Sequence, residues 1–419
     1  MHLYDLPIIC VLVGLALYAV LGGADFGAGF WQLTTLPVAR GSGERAERAR
    51  LIREHAHHSM GPVWEANHVW LIFVLTVTWT AYPRAFGAIA STLAVPLLLA
   101  GLGVVFRGIA YALRSGTDRP SELGVIDTIF SLSSILTPFA LGAMVGAIAA
   151  RRVPVGNAAG SLIGSWTSGT PVLVGVLAVA ISAYMAAVYL AADAARNGER
   201  ELAEQFRHRA LGAGGVAGIV AIVGLPVLHA GAHPLYHRLL DGPGLVGVAI
   251  SVIGGLSTLV LVAIRRFEPA RVSAAVAVAG MIIGWALAQQ PLLLPHLTLR
   301  QAAAPHEALV VLLIAIAMGA AILFPSLAFL FSLVLRGHFD PGHVAQDAPA
   351  SPRAVLAASS AGLFARLAVA GLLGGLGFLT AADAPWAHAI GVVCLLACAV
   401  FAFVAVDPTG LAAGGDASS

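Results

Sequence analysis

The chain has 419 residues, 59% of them hydrophobic and 11% charged, with a mean hydropathy of +0.89. A soluble chain is about 45–50% apolar and about 25% charged, so too few ionic groups remain here to cover a water-facing surface, and the composition is that of a polytopic membrane protein. Barrel strands alternate apolar and polar residues and dilute hydropathy, so the expected fold is all-α, made of transmembrane helical bundles; disorder, coiled coil and nucleic-acid binding are excluded on the same numbers. The formal charge of +2 says nothing about partners, and all 23 basic residues are arginine.

A helix needs about 20 largely apolar residues to cross the hydrocarbon. Eleven stretches qualify: residues 6–33, 57–81, 84–113, 122–150, 170–192, 210–230, 245–264, 272–289, 306–335, 359–380 and 386–406. The first lacks a basic leader and a convincing cleavage site, so it is read as a retained helix. Sixteen arginines fall in odd-numbered loops and five in even-numbered ones. By the positive-inside rule the N-terminus faces outward and the C-terminus faces the cytoplasm. The expected organisation is a first four-helix bundle over 1–150, a second bundle over 151–338 and a proline-containing polar linker over 339–358. An additional helix pair (359–406) and a tail (407–419) complete it.

Ionisable residues inside a span are costly and mark a protein interior or a water path. Asp25 lies near the cytoplasmic end of the first span in Gly22-Gly-Ala-Asp-Phe-Gly-Ala-Gly29, whose glycines allow a neighbouring helix close approach. Glu65 lies about two turns into the second span, within Trp64-Glu-Ala-Asn-His-Val-Trp70, and Arg107 near the cytoplasmic end of the third. The bland reading is an ion pair holding three helices together. Two acids against one arginine leave a carboxylate over, however, and a buried carboxylate without a strong partner holds its proton to higher pH and can relay it. On the second span Trp64 and His68 share a face, as do Glu65 and His68, while Asn67 and Trp70 lie elsewhere on the circumference.

Other groups carry weaker signals. His229, His233 and His237 repeat every four residues, but Pro226 and Pro234 interrupt the helix, so solvated loop histidines are expected and no metal site. His55, His57 and His58 read as interfacial residues after an arginine-rich stretch. Asp127 and Glu307, near helix ends, are accounted for by snorkelling to water. Cys10, Cys394 and Cys398 sit in apolar runs and read as packing groups, with no metal or disulfide spacing. Gly371, Gly374, Gly375 and Gly377 mark the tenth span as a packing helix.

Taken in order, the helix-one glycine–acid motif, Trp64-Glu-Ala-Asn-His-Val-Trp70, Val105-Phe-Arg-Gly108 and the segment Gln290-Pro-Leu-Leu-Leu-Pro-His-Leu-Thr-Leu299 resemble subunit II of cytochrome bd-type quinol oxidases over about residues 1–338. The resemblance implies a subunit that ligates no haem itself and pairs with a subunit I carrying haem b and haem d in a prokaryotic plasma (inner) membrane. The complex oxidises quinol and reduces oxygen to water. In some members this subunit holds a quinone, and small accessory subunits occur. By position, the resemblance makes Glu65 the proton-entry carboxylate and Asp25 a second member of that path. Trp64, Asn67, His68 and Trp70 would support it or line the oxygen route, and Arg107 would pack against the haem-bearing partner. The family's motif acid is often aspartate, and here it is one methylene longer. The turn before the ninth span, where the family often carries an acid, has Arg300 and Gln301. The competing reading, an ion-coupled secondary transporter with Asp25 and Glu65 at its coupling site, calls for repeats with broken midplane helices, which this sequence lacks. A self-contained haem protein would need a second intramembrane histidine beside His68.

Overall fold

In the computed structural model the described residues are 2–39, 41–58, 61–114, 120–335, 367–368, 370–375 and 385–405, and the side chains at 57–66, 120–121, 324–325, 327–335, 385–389 and 402–405 lie outside the described set. The chain divides into two units, 1–323 and 324–419. The first contains α1 (Leu6–Ala39), α2 (Glu44–His58), α3 (Gly61–Ala81), α4 (Pro83–Thr92), α5 (Ala94–Arg114), α6 (Pro120–Ala149), α7 (Gly169–Arg196), α8 (Arg200–Gly231), α9 (His233–Leu240), α10 (Leu245–Ala263) and α11 (Phe267–Gln289). A short hairpin, β1 (Leu292–Leu294) and β2 (Leu297–Thr298), then leads through α12 (Leu299–Ala302) to α13 (His306–Leu335), which enters the second unit. Eight described helices are long and apolar enough to cross a membrane, and α3 adds a shorter apolar run, Asn67–Ala81.

The interior of the first unit is built on α1 and α7. Along α7, the run Ser182–Ala192 is almost continuously buried. Its small residues let α1, α2, α8 and α11 converge on one apolar cluster that includes Ala24, Ile52, Met185, Leu190, Phe206 and Val278. Trp31 Nε1 donates to the Ala183 carbonyl at 2.8 Å, tying α1 to α7. Where the two helices cross, a Cβ on Gly27 would stand 1.8 Å from the Ser182 carbonyl oxygen, so only glycine allows the approach.

Three local departures from the sequence reading have clear causes. The third expected span is split at Leu93 into α4 and α5, because Pro96 has no N–H to donate to Thr92. The arginine-rich stretch after α1 is a helix, α2, burying Ala46, Ala49, Ile52, Arg53 and Ala56 at helical spacing. The segment 290–299, where Pro291 and Pro295 withhold two backbone donors from any helix, forms the antiparallel hairpin. Its Leu294 and Leu297 pack with Tyr82 and Leu93, and Tyr82 Oη donates to the Tyr4 carbonyl at 2.7 Å beside them.

A further correction concerns the histidine segment. Pro226 is accommodated inside α8, and the helix breaks only at Ala232 (φ −144°, ψ 47°), two residues before Pro234. That proline can give no hydrogen bond to Ala230, and its ring would strike the Ala230 carbonyl. His229 therefore stands on α8, and His233 and His237 on α9.

In the second unit, residues 370–375 pack on the helix Pro385–Ala405 through Gly371 and Gly375, which lie against Cys394, Leu395 and Cys398. Most of the expected tenth span, the linker and the tail lie outside the described residues.

Candidate functional site

The glycine motif of α1 delivers Asp25 to a closed polar centre. Asp25 and Arg107 are each 1% exposed. Arg107, from α5, donates through Nη2 to the Asp25 carboxylate and to the Asp25 backbone carbonyl at 2.9 Å. Its Nη1 donates to Ser134 Oγ of α6, which itself donates to the Phe130 carbonyl at 2.6 Å. The guanidinium lies 4.2 Å from the Phe130 ring centre and 5.1 Å from that of Phe26, so the charge is held between two aromatic faces as well as by oxygens. Gly29 makes room for this assembly: a Cβ there would fall 2.2 Å from Ser134 Oγ and 3.3 Å from Arg107 Nη1.

From α3, Asn67 Nδ2 donates to the other Asp25 oxygen at 2.8 Å, and the Asn67 side chain is fully buried. His68 lies within electrostatic reach of the same carboxylate. Trp70, half-buried, sets its ring edge-on to Phe73, with 6.1 Å between centres. The side chains of Trp64 and Glu65 lie outside the described residues; their backbone forms the first turns of α3. Asn67 sits level with Asp25 and Phe73 with Gly14, so α1 and α3 run antiparallel. That places the Glu65 backbone about 3 Å nearer the α2 end than Asn67.

A second polar layer lies two turns away. Asp127 of α6 pairs with Arg53 of α2 and, at 2.6 Å, with Arg114 of α5, while Arg53 Nη1 donates to the Gln32 carbonyl of α1 at 3.2 Å. The Gln32 side chain is fully buried, and among the described residues its amide has no hydrogen-bond partner. Tyr18 Oη, at the other end of the column, is in the same position. The two layers are built by pairs seven residues apart: Asp25 and Gln32 on α1, Arg107 and Arg114 on α5, Ser134 and Asp127 on α6. Seven residues are nearly two helical turns, about 10 Å, and return to the same face.

Of the residues the fold brings together here, the sequence reading names Asp25, Arg107 and Asn67, gives Asp127 another role, and passes over Gln32, Arg53, Arg114 and Ser134. Asp127 is not a snorkelling residue; it is 8% exposed and is bridged by two arginines. The sevenfold spacing of polar residues was the signal that could have found this layer. The Arg107 side chain turns inward, so contact with a partner would have to run through the residues around it. His55, read as interfacial, is turned inward, with Nε2 3.2 Å from the Leu190 carbonyl. It borders an open cleft of about 680 Å³ between α2 and the α7–α8 corner, lined by charged groups including Arg48, Asp193 and Glu199.

Residues 3–334 match the family described as cytochrome bd terminal oxidase subunit II. The chain belongs to this family. Subunit 2 of the cytochrome bd ubiquinol oxidase of Bacillus subtilis (strain 168) is 28% identical over 142 residues, 34% of this chain and 39% of that protein. Subunit 2 of the cytochrome bd-I ubiquinol oxidase of Escherichia coli (strain K12) is 28% identical over 138 residues, 32% of this chain and 34% of that one. The aligned stretch is under half of either relative's length. Among solved structures, the bd oxidase from Geobacillus thermodenitrificans superposes with a TM-score of 0.63 at 23% identity, covering 80% of this chain and 99% of that chain, a likeness of fold. In this subunit II, the matched region holds both polar layers; residues beyond 334 fall outside it.

Proposed function

We propose that this subunit II works in a quinol:oxygen oxidoreductase in the prokaryotic plasma membrane, N-terminus outward. There it supports a subunit I that carries haem b and haem d, and provides part of the cytoplasmic proton and oxygen routes. Family membership over residues 3–334 supports the assignment. The haems supply the electron transfer to oxygen, and the proposal gives them to the partner. The described histidine cluster does not suit a porphyrin, because His233 and His237 present nitrogens 3.2 Å apart on one helix face, with no room for a ring between them.

Within this chain, the observation that carries the mechanism is the commitment of Arg107 to Asp25 and Ser134. Asp25, neutralised by the guanidinium and fixed by Asn67, acts as a polar anchor of the route, and Glu65 is the acid that relays the proton. Gln32, in the Arg53–Asp127 layer two turns from Asp25 on the same face of α1, has an amide suited to hydrogen-bonding water along that line, as buried polar groups without protein partners commonly do. Trp64 and His68 orient the relay acid, and Trp70 borders the oxygen route.

The test is Glu65→Gln in the assembled oxidase. It removes the titrating group and keeps the shape, so quinol-driven oxygen consumption slows while haem content stays normal. Unchanged turnover in a fully haem-loaded preparation would reject Glu65 as the relay.

A further inference from the structure

The break at Ala232 sets three histidines against one another at the end of the bundle. Their ring centres are 4.8 Å (His229–His233), 4.4 Å (His233–His237) and 6.0 Å (His229–His237) apart. One nitrogen from each lies within 4.8 Å of the others, and all three residues are exposed. The Nε2 atoms of His233 and His237 are 3.2 Å apart. Zinc–imidazole bonds of about 2.0–2.1 Å in tetrahedral geometry separate two ligand nitrogens by about 3.3 Å, so this pair already stands at ligand spacing, and a modest rotation of His229 completes a triad.

Two further features distinguish the cluster from three solvated side chains. Asp241 Oδ2 lies 3.0 Å from His237 Nδ1. A carboxylate there accepts, so Nδ1 carries the proton and the Nε2 lone pair is directed at His233; a carboxylate behind an imidazole is the usual arrangement at a histidine-bound metal. The backbone beneath is also fixed. Leu235 is buried in an apolar cluster with Ala149, Ala232 and Ala288, and Arg238 Nε donates to the Ala288 carbonyl at 2.8 Å. The remaining coordination position is open, since all three histidines are exposed.

We propose that His229, His233 and His237 bind one borderline divalent transition-metal ion, zinc in the first instance, with Asp241 orienting His237. The ion bridges α8 and α9 across the break at Ala232. Nothing in this site depends on the oxidase reading, and its test requires no turnover.

The full-length chain, purified in detergent with a histidine-free tag and stripped of metal, is titrated with Zn²⁺ against a chromophoric chelator and separately with Co²⁺. The expected result is a saturable one-equivalent step, the intense visible absorption of tetrahedral Co²⁺, and a zinc-dependent rise in unfolding temperature. The double variant His233→Ala/His237→Ala loses all three, and Asp241→Asn binds about 10–100-fold more weakly. These positions are exposed, so each metal-free variant should unfold at the same temperature as the metal-free parent. Absence of a one-equivalent step, or its persistence in the double variant, overturns the site; undiminished affinity in Asp241→Asn overturns the orienting role.

Discussion

Arg107 is bound by Asp25 twice, through the side-chain carboxylate and through the backbone carbonyl of the same residue. The acid and its own helix backbone form one receptor for the guanidinium. Helix α5 is thereby located against α1 both along and around its axis.

Removing one member of a buried pair leaves the other charge uncompensated, at a cost of roughly 3–5 kcal/mol. Arg107→Ala should therefore lower the unfolding temperature of the complex sharply and reduce its yield. Arg107→Gln combined with Asp25→Asn should recover much of that loss, since neither charge remains. Thermal unfolding of the three variants in detergent checks this; a double variant no better than Arg107→Ala would show that the pair is not coupled.

Gly27→Ala should cost roughly 1–3 kcal/mol or more by overpacking, because the new methyl meets the Ser182 carbonyl. Gly101 has nothing within 4 Å of its missing Cβ, so Gly101→Ala should be neutral or stabilising by up to about 1 kcal/mol through helix propensity. The contrast between the two unfolding temperatures is the measurement, and equal effects would contradict the crossing described above.

Gln32→Leu conserves shape while deleting an amide that has no partner among the described residues. An amide satisfied by water alone adds little net stability, and replacing it with an apolar group of the same shape is nearly neutral, so the variant should be about as stable as the parent. If water threads past Gln32 to Asp25, turnover should nevertheless fall. Unchanged oxygen consumption at normal haem content would remove Gln32 from the route.

Asp127→Asn weakens two arginine contacts at once. With charged hydrogen bonds contributing about 1.5–3 kcal/mol each, α2 should loosen from α5 and α6. Hydrogen exchange should rise across Glu44–His58 before it rises in α7; protection unchanged along α2 would show that its apolar face alone holds it.

Which parts of this could be seen in the sequence follows from the range of the interactions. Spans such as α7 and α10 are legible because a run of about twenty largely apolar residues needs no tertiary information. Asp25, Asn67 and Arg107 stand out because charge and amide are rare in such runs. Helix α2 was hidden by its composition: its buried face is mostly alanine, so its periodicity is faint beside its many arginines. The split at Leu93 was signalled by Pro96, but apolar residues on both sides mask it in a hydropathy count. The Arg53–Asp127–Arg114 layer joins three helices, and only the seven-residue spacing of polar residues on α5 and α6 foreshadowed it.

The crossing at Gly27 has a consequence for how this subunit can vary. Because a carbonyl of one helix lies where the other has no side chain, the two cylinders are keyed like a shaft and its slot, and neither can slide or turn independently. Tolerance to change along α1 should consequently be poor at Gly27, one of its smallest residues, as well as at its charged one. A full substitution scan of that helix would show one of its troughs where there is least to remove.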